Sequence, residues 1–182
     1  MNLAESVGKI SGEIRTVLGK IKEGDIQCLL ERIENAPRVF IYGEGRTGLV
    51  GKMFAVRLMH FGKEVYFVGE MLTPSFKRGD LLLILSGLAN RERTVDMAVK
   101  ANKLGGEVVS VTGNSSAPLY KYCSHTVLIP RSLKSLSASV SSQPLNSLFE
   151  QVLFFVLEGI VNILYHKLQI NDEEMYARHF NL

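Results

Sequence analysis

Cysteine is nearly absent from this chain of 182 residues, which carries only Cys28 and Cys123. They stand far apart, without C-x-x-C or zinc spacing, so a disulfide framework is excluded and reduced thiols in a cytoplasm are expected. The four histidines, His60, His125, His166 and His179, show no paired spacing, and no metal site is expected from them. Basic runs are missing as well. The 21 Lys and Arg against 18 Asp and Glu leave a net charge of +3, with no cluster to grip nucleic acid.

Long apolar runs are equally scarce. The longest, Val152 to Tyr165, is interrupted by Glu158 and Asn162 and is shorter than the roughly 20 residues a bilayer span requires, so it reads as a buried helix and no membrane role is expected. The N-terminus alternates polar and apolar residues where a secretory signal would need an apolar core. No repeat or low-complexity tract appears. With 46% hydrophobic and 21% charged residues, the composition is that of a globular protein and excludes the disordered and fibrous classes. The length suits one domain over residues 1–182.

The chain is organised around Arg38 to Gly51, RVFIYGEGRTGLVG, where an apolar run stops at three closely spaced glycines and a helical pattern begins. That is a strand, a tight turn and a helix. Unpaired N–H groups at such a helix start suit a phosphate, and Arg46 and Thr47 add a fixed charge and a hydroxyl there. The alternative is that Gly43, Gly45 and Gly48 serve only strand-to-helix packing.

Before this motif, residues 1–36 read as two amphipathic helices that pack on the domain or on a partner subunit. The first carries Leu3, Val7, Ile10, Ile14, Val17, Leu18 and Ile21 on one face, and the second is capped by Asp25. After it come a helix from about Thr47 to Phe61, a strand over Glu64 to Val68, and the apolar strand Asp80 to Leu85, expected at a sheet centre. A helix over Arg91 to Leu104, a strand over Glu107 to Thr112, a short helix and a strand over Thr126 to Pro130 complete the pattern. Alternation of this kind predicts an α/β fold in three layers, with a five-stranded parallel sheet between helices. Arg131 to Gln143 turns Ser-rich and reads as mobile or ligand-ordered, Pro144 opens a long helix ending near Leu168, and 171–182 form a tail.

Ligands of open parallel sheets sit outside the carboxyl ends of the strands. That rim collects Gly43 to Gly48, Ser86 to Arg91 and Thr112 to Ser116, a set of glycines and hydroxyls suited to a phosphate ester. Gly43-x-Gly45-x-x-Gly48 also matches a dinucleotide fingerprint, with Glu70 near the position of a ribose-binding acid, but no second domain is present to hold a hydride partner.

The segments GEGRTG, RLMHFGKEVYFVGE, DLLLILSG, QPLNSLFEQ and RHFNL, in this order and spacing, resemble the sugar isomerase (SIS) family and within it the 6-phospho-3-hexuloisomerases. The similarity covers nearly the whole chain. It implies a tetrameric enzyme, working without cofactor, that interconverts hex-3-ulose 6-phosphate and fructose 6-phosphate through an enediol. It further implies Glu150 as the base and His179 as the acid, the latter reaching a neighbouring subunit's site. Gly45, Arg46, Thr47 and Ser86 would hold sugar and phosphate, with Arg57 and His60 in support. One departure stands out: where the family usually continues Ser-Gly-Glu-Thr after Ser86-Gly87, this chain has Leu88-Ala89-Asn90-Arg91. Arg91 is expected to restore charge in place of lost hydroxyls, while Glu44 adds repulsion. A non-catalytic sugar-phosphate-binding module on the same fold is the alternative reading.

Overall fold

The computed structural model describes residues 1–130, 141 and 143–181. Two amphipathic helices come first, α1 (Leu3–Leu18) and α2 (Glu23–Asn35). Asn2 caps α1 through a reciprocal box with Glu5. The expected cap at Asp25 is not used: α2 starts two residues earlier, with Lys22 at its cap position and no side-chain bond, and Asp25 lies in the first turn, where its charge complements the helix dipole.

Five parallel strands follow, β1 (Arg38–Gly43), β2 (Glu64–Phe67), β3 (Leu81–Ser86), β4 (Glu107–Thr112) and β5 (His125–Leu128), in the spatial order β2-β1-β3-β4-β5. Register runs from Arg38 beside Glu64, through Val39 beside Leu81 and Leu81 beside Glu107, to Val109 beside His125. The chain moves one way from β1 to β2 and the other way from β3 onward, so the carboxyl ends of β1 and β3 enclose the switch point where such sheets place ligands.

Alternate residues of the central strands feed two cores, as the two-residue period of a strand requires. Val39, Ile41, Leu83, Leu85 and Val111 face α1, α2, α3 (Gly45–His60) and α5 (Leu148–Leu168). Phe40, Tyr42, Leu82, Ile84 and Val108 face α4 (Glu92–Lys103) and a 3-10 turn at Pro118–Tyr122. The three-layer expectation is met. In β3, Leu81 to Leu85 are all buried, as an apolar run covered on both faces should be.

The long helix differs from its sequence reading in one detail. Pro144–Asn146 form a separate 3-10 turn, Leu145 takes a left-handed φ of 54°, and α5 begins only at Leu148. Its 21 residues match a bilayer span in length, yet nine of them are buried against the sheet and the neighbouring helices. Most of the Ser-rich segment, 131–140 and 142, lies outside the described residues. The tail folds into α6 (Asp172–Ala177), capped by Asn171.

Candidate active site

The β1–α3 turn answers what its three glycines do. Gly45 alone among them has a left-handed φ, 55°, which turns the chain from strand into helix. Gly48 is a packing residue, because a Cβ there would lie 2.5 Å from the Gly43 carbonyl oxygen. This close approach seats α3 directly on the end of β1, so its first N–H groups open toward the rim. From the other side of the sheet, α4 brings its own start, with Arg91 at the cap position.

Between these helix starts lies a cleft of about 360 Å³, lined by Tyr42, Glu44, Arg46, Thr47, Leu85, Ser86, Gly87, Leu88, Arg91, Thr94, Leu145, Phe149 and Glu150. Its volume is in the range of small-molecule sites. Arg46 Nε donates to Glu150 Oε1 at 2.6 Å, and Arg46 also reaches the Leu145 carbonyl at 2.8 Å. The left-handed kink at Leu145 therefore serves the site. Glu150, in the first turn of α5, keeps only 16% of its side chain exposed, and its Oε2 is buried without a hydrogen-bond partner among the described residues.

On the opposite wall, Ser86 Oγ accepts a hydrogen bond from the Ala89 N–H at 3.0 Å, which leaves its own O–H free to donate. Arg91 pairs with Glu44 at 2.7 Å, and the Tyr42 hydroxyl donates to the other oxygen of Glu44 at 2.5 Å. Burial, then this hydrogen bond and the Glu44 charge, push the Tyr42 pKa up to about 12, so the hydroxyl stays a donor across the ordinary pH range.

Five of the expected side chains, Arg46, Thr47, Ser86, Arg91 and Glu150, thus converge on one cleft, with Gly45 at its edge. Three others lie elsewhere in this chain. Arg57 faces a separate cleft of about 310 Å³ beside Glu158, 3.6 Å away. His60 stands at the far end of α3, about 24 Å along the helix axis from its start, where its ring stacks on that of His179 at 5.2 Å. Tyr42, Thr94, Leu145 and Phe149 escaped the sequence reading. Tyr42 directly precedes Gly43, but period-two alternation alone does not tell which side of a strand end meets a ligand.

The SIS domain profile matches residues 32–155, about two thirds of the chain. The chain belongs to the SIS domain family. The chain is 36% identical, over its full length and 92% of the relative, to a 3-hexulose-6-phosphate isomerase from Mycobacterium gastri. It is 34% identical, over the whole of both chains, to a protein of the same name from Bacillus subtilis. Among solved structures, a hypothetical protein from Methanococcus jannaschii, whose structure was taken to infer a 3-hexulose-6-phosphate isomerase function, superimposes with a TM-score of 0.84 at 28% identity, covering 98% of this chain and 99% of the other. Glu70, the acid of the dinucleotide alternative, forms an ion pair with Lys52 at 2.5 Å.

Proposed function

We propose that this protein is a cofactor-independent isomerase of hex-3-ulose 6-phosphate and fructose 6-phosphate, acting in the cytoplasm. The observation that carries the reading is Glu150, a mostly buried carboxylate with one oxygen held by Arg46 and the other unpartnered among the described residues, facing a cleft at the sheet's switch point. Full-length relatives named as this isomerase support it over a non-catalytic module. Cys28 and Cys123 are free, in keeping with a reducing compartment.

In this mechanism Ser86, Arg91 and the N–H groups at the start of α4 bind the phosphate, while Arg46 and Thr47 position the sugar. Glu150 removes the proton from the carbon beside the ketone, giving an enediol, and returns it to the former ketone carbon. The hydroxyl proton travels between the two oxygens in the same sense, from the oxygen on the deprotonated carbon to the former ketone oxygen, with His179 as acceptor and donor. Because His179 lies at the other end of α3 in its own chain, the His179 that serves a given cleft comes from a second copy. Exposed apolar side chains suit such an assembly: Leu49, Met53 and Val56 recur at helical spacing on α3, and Leu3 and Val7 do so on α1. We take the assembly to be a homotetramer, with residues 1–182 acting as one SIS domain and Arg57 and His60 near the contact with the second copy.

The test is turnover of enzymatically generated hex-3-ulose 6-phosphate. Glu150→Gln is expected to lower kcat by about 10²–10⁴-fold, the usual contribution of a general base, while fructose 6-phosphate still binds. A folded wild-type protein that binds but does not isomerise would leave only the binding function.

A further inference from the structure

Two ion pairs line the cleft, and they are built differently. Arg46 is fixed at two points, by Glu150 and by the Leu145 carbonyl. Arg91 has one partner among the described residues, Glu44, and its side chain is 72% exposed. Glu44 by contrast has two, since its Oε1 takes the Tyr42 hydroxyl while its Oε2 meets Arg91. Tyr42 is itself 5% exposed and packed in the core under α4, so it does not follow Arg91 if that side chain moves.

The consequence is an asymmetric exchange. If Arg91 leaves, Glu44 keeps a rigid donor; the cost of separation is that of a partly exposed ion pair, which is small. Arg91 stands at the cap position of α4, next to the free Ser86 hydroxyl and the unpaired N–H groups of the first helical turn, which together favour an anion. A carboxylate already sits on the cation of that anion site.

Resting on the sugar-phosphate reading of the cleft, we infer that Glu44 is a resident anion that Arg91 exchanges for the substrate phosphate, and that the pair thereby sets the protein's affinity for phosphate esters. Arg91 is bound to a single negative charge in the free protein and transfers to a phosphate group carrying about two, a stronger partner for a guanidinium. Glu44 stays behind on Tyr42.

Calorimetric titration of the full chain with inorganic phosphate and with fructose 6-phosphate tests this, comparing wild type, Glu44→Gln, Arg91→Ala and the double variant. Glu44→Gln retains an acceptor for Tyr42, and circular dichroism confirms folding of each variant. Glu44→Gln is expected to tighten both ligands about threefold to fivefold, the value of a partly exposed pair, and Arg91→Ala to weaken them about tenfold or more. The deciding result is the double variant. Exchange requires the gain from Glu44→Gln to be at least about twofold smaller once Arg91 is absent, because no cation remains to be freed. A gain that is equal or larger without Arg91 would show simple repulsion and overturn the exchange, as would no gain at all. Phosphate exchange without isomerisation by wild type would overturn the proposed reaction and leave the exchange standing; isomerisation with no effect of Glu44 would do the reverse.

Discussion

At the residue scale, the departure at Leu88 to Arg91 is held in place by a strained alanine. Ala89 takes a φ of 49°, a region that glycine occupies freely, while the residue is only 1% exposed, in the core beneath α4. The Ser86 hydroxyl accepts its N–H, and the Asn114 amide donates to the Leu88 carbonyl at 3.0 Å, so the turn is fastened on both sides. Removing the methyl relieves about 1–2 kcal/mol of left-handed strain and forfeits about 0.8 kcal/mol of apolar burial plus some unfolded-state entropy. Ala89→Gly is therefore expected to alter stability by less than about 1 kcal/mol in urea unfolding. Ala98→Gly, equally buried but inside α4, is expected to cost about 2 kcal/mol, since burial and helix propensity are lost together. Equal losses at the two sites would show that the Ala89 backbone carries no strain.

At the element scale, α6 and the tail behind it dock on the end of α3. Arg178 donates to the His60 carbonyl at 3.2 Å, and the His179 ring lies between those of His60 and Tyr176. Burial, then the charges of His179 and Arg57, lower the His60 pKa from its ordinary 6.5. The sign follows directly. A folded-state value below the unfolded one means that the unfolded chain takes the proton first, so the stability contributed by neutral His60 is complete above about pH 6.5 and declines below it. Proton resonances of His60 followed from pH 8 to 5 should give a midpoint under 6.5, and His179→Ala should move it upward. An unmoved midpoint would mean that the tail does not rest on α3 in solution.

At the scale of the whole molecule, the proposed reaction requires more than one chain, because α3 separates the Glu150 cleft from its own His179. The exposed stripe of Leu49, Met53 and Val56 is the surface to disrupt. Light scattering on wild type is expected to give a mass several times that of one chain, and Met53→Glu, which places a charge in an apolar contact, should lower it and reduce turnover at least about tenfold together. Mixing Met53-intact Glu150→Gln and His179→Ala proteins should restore part of the activity, since each supplies what the other lacks. A Met53→Glu protein that is monomeric and fully active would reject a shared site.

Much of this was legible in the order of the residues. Strand alternation and glycine punctuation were enough for the five parallel strands, because a buried parallel sheet leaves long apolar runs and its helices leave a 3.6-residue period. Arg46, Thr47, Ser86 and Arg91 could be placed together because a parallel sheet brings the ends of β1 and β3 to one rim, whereas Glu150, on a distant helix, entered only through the family resemblance. The start of α2 and the 3-10 turn before α5 were not legible, because a missing side-chain cap and a left-handed Leu145 have no residue signature. The same holds for the pairings. Local chemistry determined which charged groups reach the rim; only the tertiary packing of α3, α4 and α5 decided that Glu150 meets Arg46 while Arg91 meets Glu44, since partners 104 and 47 residues apart are chosen by distance in space and not by any pattern along the chain.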